Sequence, residues 1–494
     1  MSTATDIQET DSAANFDALQ STRMGPSLAV DLDGTLVKTD LLLESLLLLL
    51  KHAPWRILSL PVWLRKGRAY FKEQVARRVS LDAAVLPYRK ELIDYLQTQR
   101  AQGRPIVLAT AADAATARDV ADHLGIFDLI LSSDGVTNLS DKAKRDLLVN
   151  TFGEKGFDYA GNSKCDLVVW QSARQAIAVN PSRSVRAEIA QLGHASYAFD
   201  EPAAGFKNHL KALRPHHWLK NLLVFAPLLA AHRIDDMAMT VKLAVAFLSL
   251  GCIASSGYLI NDLLDLPADR HHPNKRLRPF AAGDLPLTYA LEAIPALFFM
   301  GIVSASFVSG LFLAAALTYF ALTMTYSLFV KRFVILDVIF LAGLYTMRIL
   351  AGSAAIAIWP SHWLLALSTF LFFSMALVKR YGELVVMRHV DGEGAKARSY
   401  ESSDGELLAA MGIASGYLAV LVLALYINSD KAQVLYGHYP LMWFLCPLLL
   451  YWISDIWLVA HRGRMPDDPV FFALRDRTSQ ILILLMLAIS VLAL

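Results

Sequence analysis

The sequence predicts a two-part chain: an N-terminal α/β domain on a doubly wound parallel sheet with a helical cap, then an all-α polytopic membrane bundle of about nine transmembrane helices. Three observations predict it. Charged residues make up 18% of the 494 positions and hydrophobic ones 55%, whereas an average soluble domain carries about 25% charge. The charge is unevenly used: residues 1–210 hold 24 Lys+Arg and 25 Asp+Glu, as a soluble domain would, and residues 211–494 hold 22 and 19 between long apolar runs. Those runs approach about 20 residues, the length that a hydrocarbon core about 30 Å thick requires. A wholly soluble enzyme and a wholly disordered chain are therefore excluded. The formal net charge of +2 argues against nucleic acid as the partner.

The elements follow in order. Residues 1–23 read as a disordered tail, polar and acidic, without the basic start and apolar core of a signal peptide. Residues 24–193 form the α/β domain. Short apolar runs at Ser27–Val30, Pro105–Ala109, Leu129–Leu131, Asp158–Gly161 and Ala176–Val179 read as strands, and Lys90–Gln102, Asp113–Leu124, Lys142–Phe152 and Asp166–Ser172 as the helices between them. The stretch from the first strand to the second is far longer than a crossover needs, so Asp40–Leu86 is expected as a helical cap. Its Leu41–Leu50 run is too short to span a bilayer. Trp55, Trp63, Arg65, Lys66, Arg68 and Tyr70 follow it and suit a membrane interface. The three cysteines, Cys165, Cys252 and Cys446, lie far apart with no CxxC, which points to inert thiols rather than zinc or disulfides.

After a connector at 194–211, residues 212–494 carry nine apolar segments: Trp218–Ala231, Thr240–Ile260, Leu287–Ala305, Val308–Phe329, Leu336–Ile358, His362–Val378, Leu407–Ile427, Leu441–Val459 and Ile481–Leu494. Eighteen of the 22 basic residues in this part fall before or at the start of segment 1 or in the loops after segments 2, 4, 6 and 8. The positive-inside rule then places the N-terminal domain in the cytoplasm, and an odd number of spans places Leu494 on the opposite side of a bacterial-type inner membrane.

In the α/β part, Asp31-x-Asp33-Gly34-Thr35 directly follows a strand. A carboxylate at a strand's C-terminal end can attack a phosphoryl group or bind a metal. A second acid two residues on can serve the leaving oxygen. Asp31 is thus the candidate nucleophile and Asp33 the acid–base. Thr110 and Lys142 are candidates to hold phosphate, and Asp166 in Gly161-Asn162-Ser163-x-x-Asp166 to share Mg2+ with Asp31 and Asp33. These pieces, in this order, resemble the haloacid dehalogenase (HAD) superfamily of phosphatases over about Ser27–Gln191. That family often carries Asp where Asn162 stands here.

In the membrane part the richest stretch is Asn261-Asp262-x-x-Asp265-x-x-x-Asp269, followed by Lys275, Arg276 and Arg278. Asp262, Asp265 and Asp269, at i, i+3 and i+7, are expected on one helical face. Three such carboxylates repel unless a cation binds, and Mg2+ bridging to a diphosphate is the natural partner. The stretch matches the signature of the UbiA-type membrane prenyltransferase superfamily. Its continuation to Gly283, with Arg214-Pro215-x-x-Trp218-x-Lys220-Asn221 upstream, is similar to the decaprenyl-phosphate phosphoribosyltransferase branch. Where aromatic prenyltransferases of the superfamily carry a second Asp-rich motif, this chain reads Lys379-Arg380-Tyr381-Gly-Glu383. Tyr326 and Lys331 lie in a Tyr-Ser-x-x-x-Lys-Arg element after segment 4. Arg348, mid-segment 5, should face a cavity rather than lipid. Asp337, 11 residues before it, is roughly 16 Å away along a helix, too far for direct pairing.

The resemblance implies an enzyme that moves 5-phosphoribose from phosphoribosyl diphosphate to a polyprenyl phosphate lipid. Asp265 and Asp269 would be catalytic, with Asp262 and Asn261, through Mg2+. Lys220, Lys275, Arg278, Tyr326, Lys331, Arg348, Lys379 and Arg380 would bind substrate, and the fused HAD-like domain would remove the 5-phosphate. Two alternatives remain: a prenyltransferase acting on an aromatic acceptor, and a phosphatase anchored by a non-catalytic bundle.

Overall fold

The computed structural model describes residues 25–193, 196–202, 204–391, 396–397, 400–466 and 468–494; the tail expected at 1–23 lies outside them. The chain divides into two compact units, one of Met1–Ala212 with Leu259–Glu292 and the other of Leu213–Tyr258 with Ala293–Leu494.

The first unit is built on six parallel strands, β1 (Ser27–Val30), β2 (Ile106–Asp113), β3 (Leu129–Ser133), β4 (Phe157–Gly161), β5 (Gln175–Val179) and β6 (Ser196–Phe199), in the order β3-β2-β1-β4-β5-β6. β1 is central, Leu28 facing Ile106 on one side and Asp158 on the other. All four of its residues are buried, as a strand covered on both faces requires. Leu28, Val30, Ile106 and Leu108 pack under the helices of one face, and Ala29, Val107, Phe157, Tyr159 and Trp170 under those of the other. The order reverses at β1, whose carboxyl end is therefore a switch-point crevice.

The expected cap is helical. Asp40 caps Leu41–His52 by accepting from the Leu43 amide at 2.9 Å. A 3-10 turn, Pro54–Ser59, and the helices Leu60–Arg65 and Arg68–Ala76 follow. Leu49, Trp63 and Val75 close a small core beneath them. The C-terminal end of the helix Met237–Leu264, the helix Leu266–His271 and the N-terminal end of Leu287–Val308 also belong to this unit.

The second unit is helical. Seven helices of the chain are long and apolar enough to cross a membrane, Met237–Leu264, Leu287–Val308, Gly310–Arg332, Leu336–Ile356, His362–Met387, Ser402–Ile427 and Tyr439–His461. An eighth candidate is Pro469–Arg475 with Arg477–Ala493, bent by 78°. The expected nine spans are thus seven or eight among the described residues. Trp218–Ala231 is not one continuous helix of spanning length, and Ile481–Leu494 counts only within the bent pair. The former forms a 3-10 helix, Pro215–Phe225, and one turn of α-helix, Ala226–Ala230, each with Pro in its first two positions. Proline starts a helix well but removes a donor from a continuing one.

Candidate functional site

At the carboxyl end of β1 the chain turns sharply through Gly34, whose φ is +71°. A Cβ there would sit 2.3 Å from Asn162 Nδ2, so only glycine fits. The turn presents Asp31 and Asp33 to one crevice. Asp33 Oδ1 accepts from the Leu41 amide at 2.9 Å. Asp31 Oδ1 accepts from Lys144 Nζ at 2.7 Å, and the same ammonium lies 3.0 Å from the Tyr159 hydroxyl. That hydroxyl donates to Asp166 Oδ1 at 2.7 Å, while Asp166 Oδ2 takes the Asn162 and Ser163 amides at 3.0 and 2.9 Å. A single wired set therefore runs Asp31–Lys144–Tyr159–Asp166.

Two of the expected residues are placed away from this set. Lys142 is exposed, and Lys144 is the buried lysine at Asp31. In the helix Asp141–Phe152 the inward face holds Lys144 and Leu148, four apart as the helical period demands, which turns position 142 outward. Thr110 is fully buried, and its hydroxyl accepts from the Ala112 amide at 3.0 Å. Ala111, not Thr110, faces the cavity.

Burial pushes the Asp33 carboxyl up to about 7, with Asp40 adding to the effect. Burial also raises Asp31, against the opposing Lys144 charge and with Asp166 adding. For Lys144, burial acts downward, but Asp31 and Asp166 win and hold it above its ordinary value. An acid that keeps its proton near neutrality beside a paired carboxylate is the division of labour that acid–base work requires. These carboxylates open into a cavity of about 930 Å3. Its other walls include Lys38, Arg89 and Glu201, and Gly283, Asp284 and Pro286 to Thr288. Arg89 pairs with Glu201 and donates to the Gly34 carbonyl at 3.2 Å.

The Asp-rich stretch also belongs to this unit. The expected single helical face is interrupted. The helix Met237–Leu264 ends, Asp265 stands at the N-cap, and a new helix begins at Leu266 with Pro267 in its first turn. Arg278 Nη1 nevertheless gathers two of the three carboxylates, 3.3 Å from Asp262 and 2.5 Å from Asp269. Asp265 is turned onto Lys51 Nζ of the cap at 2.9 Å. The next residue pair is deeper: Arg270 makes two bonds to Glu44, at 2.8 and 2.5 Å, and a third to the Ala281 carbonyl at 3.1 Å. His271 reaches Asp82 at 3.0 Å. Lys275 is half-buried in a 3-10 turn.

No three His, Cys, Asp or Glu side chains converge as metal ligands among the described residues. The donors nevertheless fit a hard cation of the Mg2+ type, which takes one or two carboxylates and completes its shell with water and substrate phosphate. In each acidic set every donor is oxygen. Asn261 Oδ1, beside Asp262, is buried with no hydrogen-bond partner, an acceptor left for a ligand.

The second unit gathers the cationic candidates. Lys220 pairs with Asp468, and His217 Nδ1 lies 3.3 Å from the same carboxylate. Arg348 is buried among protein partners: Nε reaches Asn221 at 3.0 Å, Nη2 the Tyr319 hydroxyl at 2.6 Å and Nη1 the Leu344 carbonyl at 2.8 Å. Arg380, fully buried, spans Asp337 at 2.6 Å, Glu383 at 2.6 Å and the Tyr326 hydroxyl at 2.8 Å. Lys379, the residue before Arg380 on the helix His362–Asp391, is half-buried. Lys331 lies in the 3-10 turn Val330–Arg332.

Sequence reasoning missed Asp468. Burial acts to raise its carboxyl, but the His217 hydrogen bond and the Lys220 and Lys379 charges hold it well below the usual carboxylate range. It also caps the helix Pro469–Arg475 through the Val470 and Phe471 amides. Asp directly before Pro is a helix-start signal, and that was the clue. Lys51, Glu44 and Arg89 carried no comparable mark.

The model of the UbiA prenyltransferase family matches residues 222–476. An uncharacterized protein, y4nM, of Sinorhizobium fredii is 36% identical over 92% of this chain and 88% of its own. A nodulation protein, NoeC, of Azorhizobium caulinodans is 36% identical over 56% of this chain and 91% of its own. A decaprenyl-phosphate phosphoribosyltransferase of Mycolicibacterium smegmatis is 34% identical over 58% of this chain and 93% of its own.

Proposed function

The chain belongs to the UbiA prenyltransferase family, and on that premise we propose that it transfers 5-phosphoribose from phosphoribosyl diphosphate to a polyprenyl phosphate. The observation that carries this reading is the inward cationic set of Arg348 and Arg380, both buried, with Lys220 and Lys379, both half-buried. An aromatic acceptor brings no phosphate. A donor with a diphosphate and a 5-phosphate, meeting a lipid phosphate, brings several negative groups, and arginine forks match phosphate oxygens. The similarity to a phosphoribosyltransferase named for decaprenyl phosphate supports the same choice.

In the transfer, a lipid phosphate oxygen attacks C1 of the donor. The new C1–O bond forms as the C1–O bond to the diphosphate breaks, and diphosphate leaves. The attacking oxygen is already ionised, so no strong general base is needed, and the work is positioning and charge neutralisation. Mg2+, held by Asn261, Asp262, Asp265 and Asp269, would supply that neutralisation at the diphosphate. Lys275, Arg278, Lys331 and Tyr326 would add phosphate contacts.

The N-terminal site reads as a HAD-type phosphatase acting on the transferred 5-phosphate. Asp31 attacks phosphorus while Asp33 gives its proton to the departing sugar oxygen. Water, deprotonated by Asp33, then frees Asp31 and releases phosphate. Lys144 orients Asp31 and balances the incoming charge. Positive-inside charge sidedness supports a cytoplasmic N-terminal unit on an inner membrane.

The test uses washed membranes containing the protein, radiolabelled phosphoribosyl diphosphate, Mg2+ and a polyprenyl phosphate. Label should enter the lipid extract and be lost with Asp265→Ala. The lipid's mass should lack the 5-phosphate in the wild type and retain it with Asp31→Asn. No label in the lipid, from folded protein, refutes the transfer. An unchanged mass with Asp31→Asn refutes the phosphatase.

A further inference from the structure

We propose that the cap of the N-terminal unit docks on the surface of an anionic lipid bilayer through the segment Pro54–Arg68. The segment is the most apolar exposed stretch of this unit. Trp55 is 67% exposed and Leu58 80%, and Ile57, Val62 and Leu64 are exposed beside them. Isolated exposed leucines are ordinary on a protein surface, but a contiguous patch of large apolar side chains marks a partner.

Three further observations choose the partner. The first is charge. Between Glu44 and Glu73 the sequence holds six Lys/Arg and no Asp or Glu; Lys51 is engaged with Asp265 and Lys72 with the Ala111 carbonyl and Asn138, which leaves Arg56, Arg65, Lys66 and Arg68 along the apolar segment. An apolar face rimmed only by positive charge complements an anionic leaflet, where aromatic and aliphatic side chains enter the headgroup layer and Lys/Arg stay at its surface. The second is rigidity. Trp63 faces inward, packed with Leu49 and Val75 and covered by Arg78 at 4.7 Å, so the patch is held outward by its own small core. The third is place. Lys51, four residues before Trp55, pairs with Asp265, one residue beyond the membrane-crossing helix Met237–Leu264. Glu44 and Asp82 hold Arg270 and His271 of the same connection. The cap is thus pinned, within one unit, to the point where the chain leaves the bilayer. The inference does not depend on what the N-terminal site hydrolyses.

The experiment uses the full chain in vesicles, with Cys165, Cys252 and Cys446 replaced by serine. A polarity-sensitive fluorophore is placed at Leu58→Cys and, as a reference, at Val136→Cys, which is 90% exposed in the same unit. In phosphatidylglycerol-containing vesicles the label at 58 should emit further to the blue than the label at 136. It should be quenched by lipids carrying a headgroup-level quencher and shielded from aqueous iodide. The reference should behave the opposite way. Replacing Arg65, Lys66 and Arg68 by glutamine should weaken the lipid quenching most in the anionic vesicles. A label at 58 that iodide reaches as freely as at 136 overturns the proposal. So does a label shielded from both quenchers that crosslinks to a second copy through position 58. Quenching that ignores both the lipid charge and the three substitutions overturns the anionic part.

Discussion

Replacing Glu44 by leucine should free the Asp-rich connection from the cap. The Glu44 and Arg270 side chains are 2% and 4% exposed and joined by two parallel bonds. Burying two charges is expensive, so the pair as a whole adds little over an apolar pair of the same volume, but removing one partner leaves the other charge stranded. That costs about 3–5 kcal/mol, which is about two to three and a half decades in the equilibrium between the docked and undocked connection. The Arg270 bond to the Ala281 carbonyl survives the substitution, so the lower half of that range is expected. Hydrogen exchange on the purified protein reads it directly. Amides of 266–283 should lose about two decades of protection while those of β1 and β4 keep theirs. The double replacement Glu44→Leu with Arg270→Met should recover most of the loss, and ribosyl transfer should follow the same order. Unchanged protection in the single variant would refute the reasoning, because the ion pair would then not fix the connection. So would a double variant as damaged as the single, because the cost would then be lost packing rather than a stranded charge.

Three further outcomes are expected. Lys144→Met should slow release of the 5-phosphate by about a hundredfold or more, as loss of a group that balances transition-state charge does, while Lys142→Met leaves it within about twofold because that side chain is solvated. Phosphate release should fall as pH rises through about 7, where the raised Asp33 carboxyl loses the proton it must donate; below that value the proton is held, and a rate that still climbs from pH 7 to 8 would contradict the assignment. Asp468→Asn removes the anion that holds Lys220 and His217, so transfer should weaken by about 10–100-fold with release of phosphate from an already formed lipid product unchanged, a split that a labelled-lipid chase can read.

The sequence was informative wherever one period or one motif governed an element. β1 appears at Ser27–Val30 as read, because a wholly apolar run ending in Asp-x-Asp-Gly has one sensible place in a parallel sheet. β6, Ser196–Phe199, was absorbed into the connector, since a four-residue edge strand with alternating polarity resembles a loop. Trp218–Ala231 has the hydropathy of a span, but Pro215 and Pro227 each start a separate short helix there, with Asn221 buried and Lys220 half-buried between them. The three aspartates were visible and their helical spacing real, yet Pro267 and the pull of Lys51 decide which way Asp265 faces. Contacts between residues 226 positions apart, such as Glu44 with Arg270, leave no trace in local pattern.

The wall formed by Gly283, Asp284 and Pro286 to Thr288 has a consequence for how this gene can be divided. Gly283, at φ +71°, lies so close to Lys38 that an added Cβ would meet the lysine Cβ at 2.7 Å, and the residues after it line the same cavity as Asp31 and Asp33. An enzyme expressed only to Ala212 would keep its strands, its acid pair and its lysine, yet one side of its cleft would stand open to water. The N-terminal unit is discontinuous in sequence, so a single cut after Ala212 removes part of it, and a freestanding version would need a new wall for this cleft.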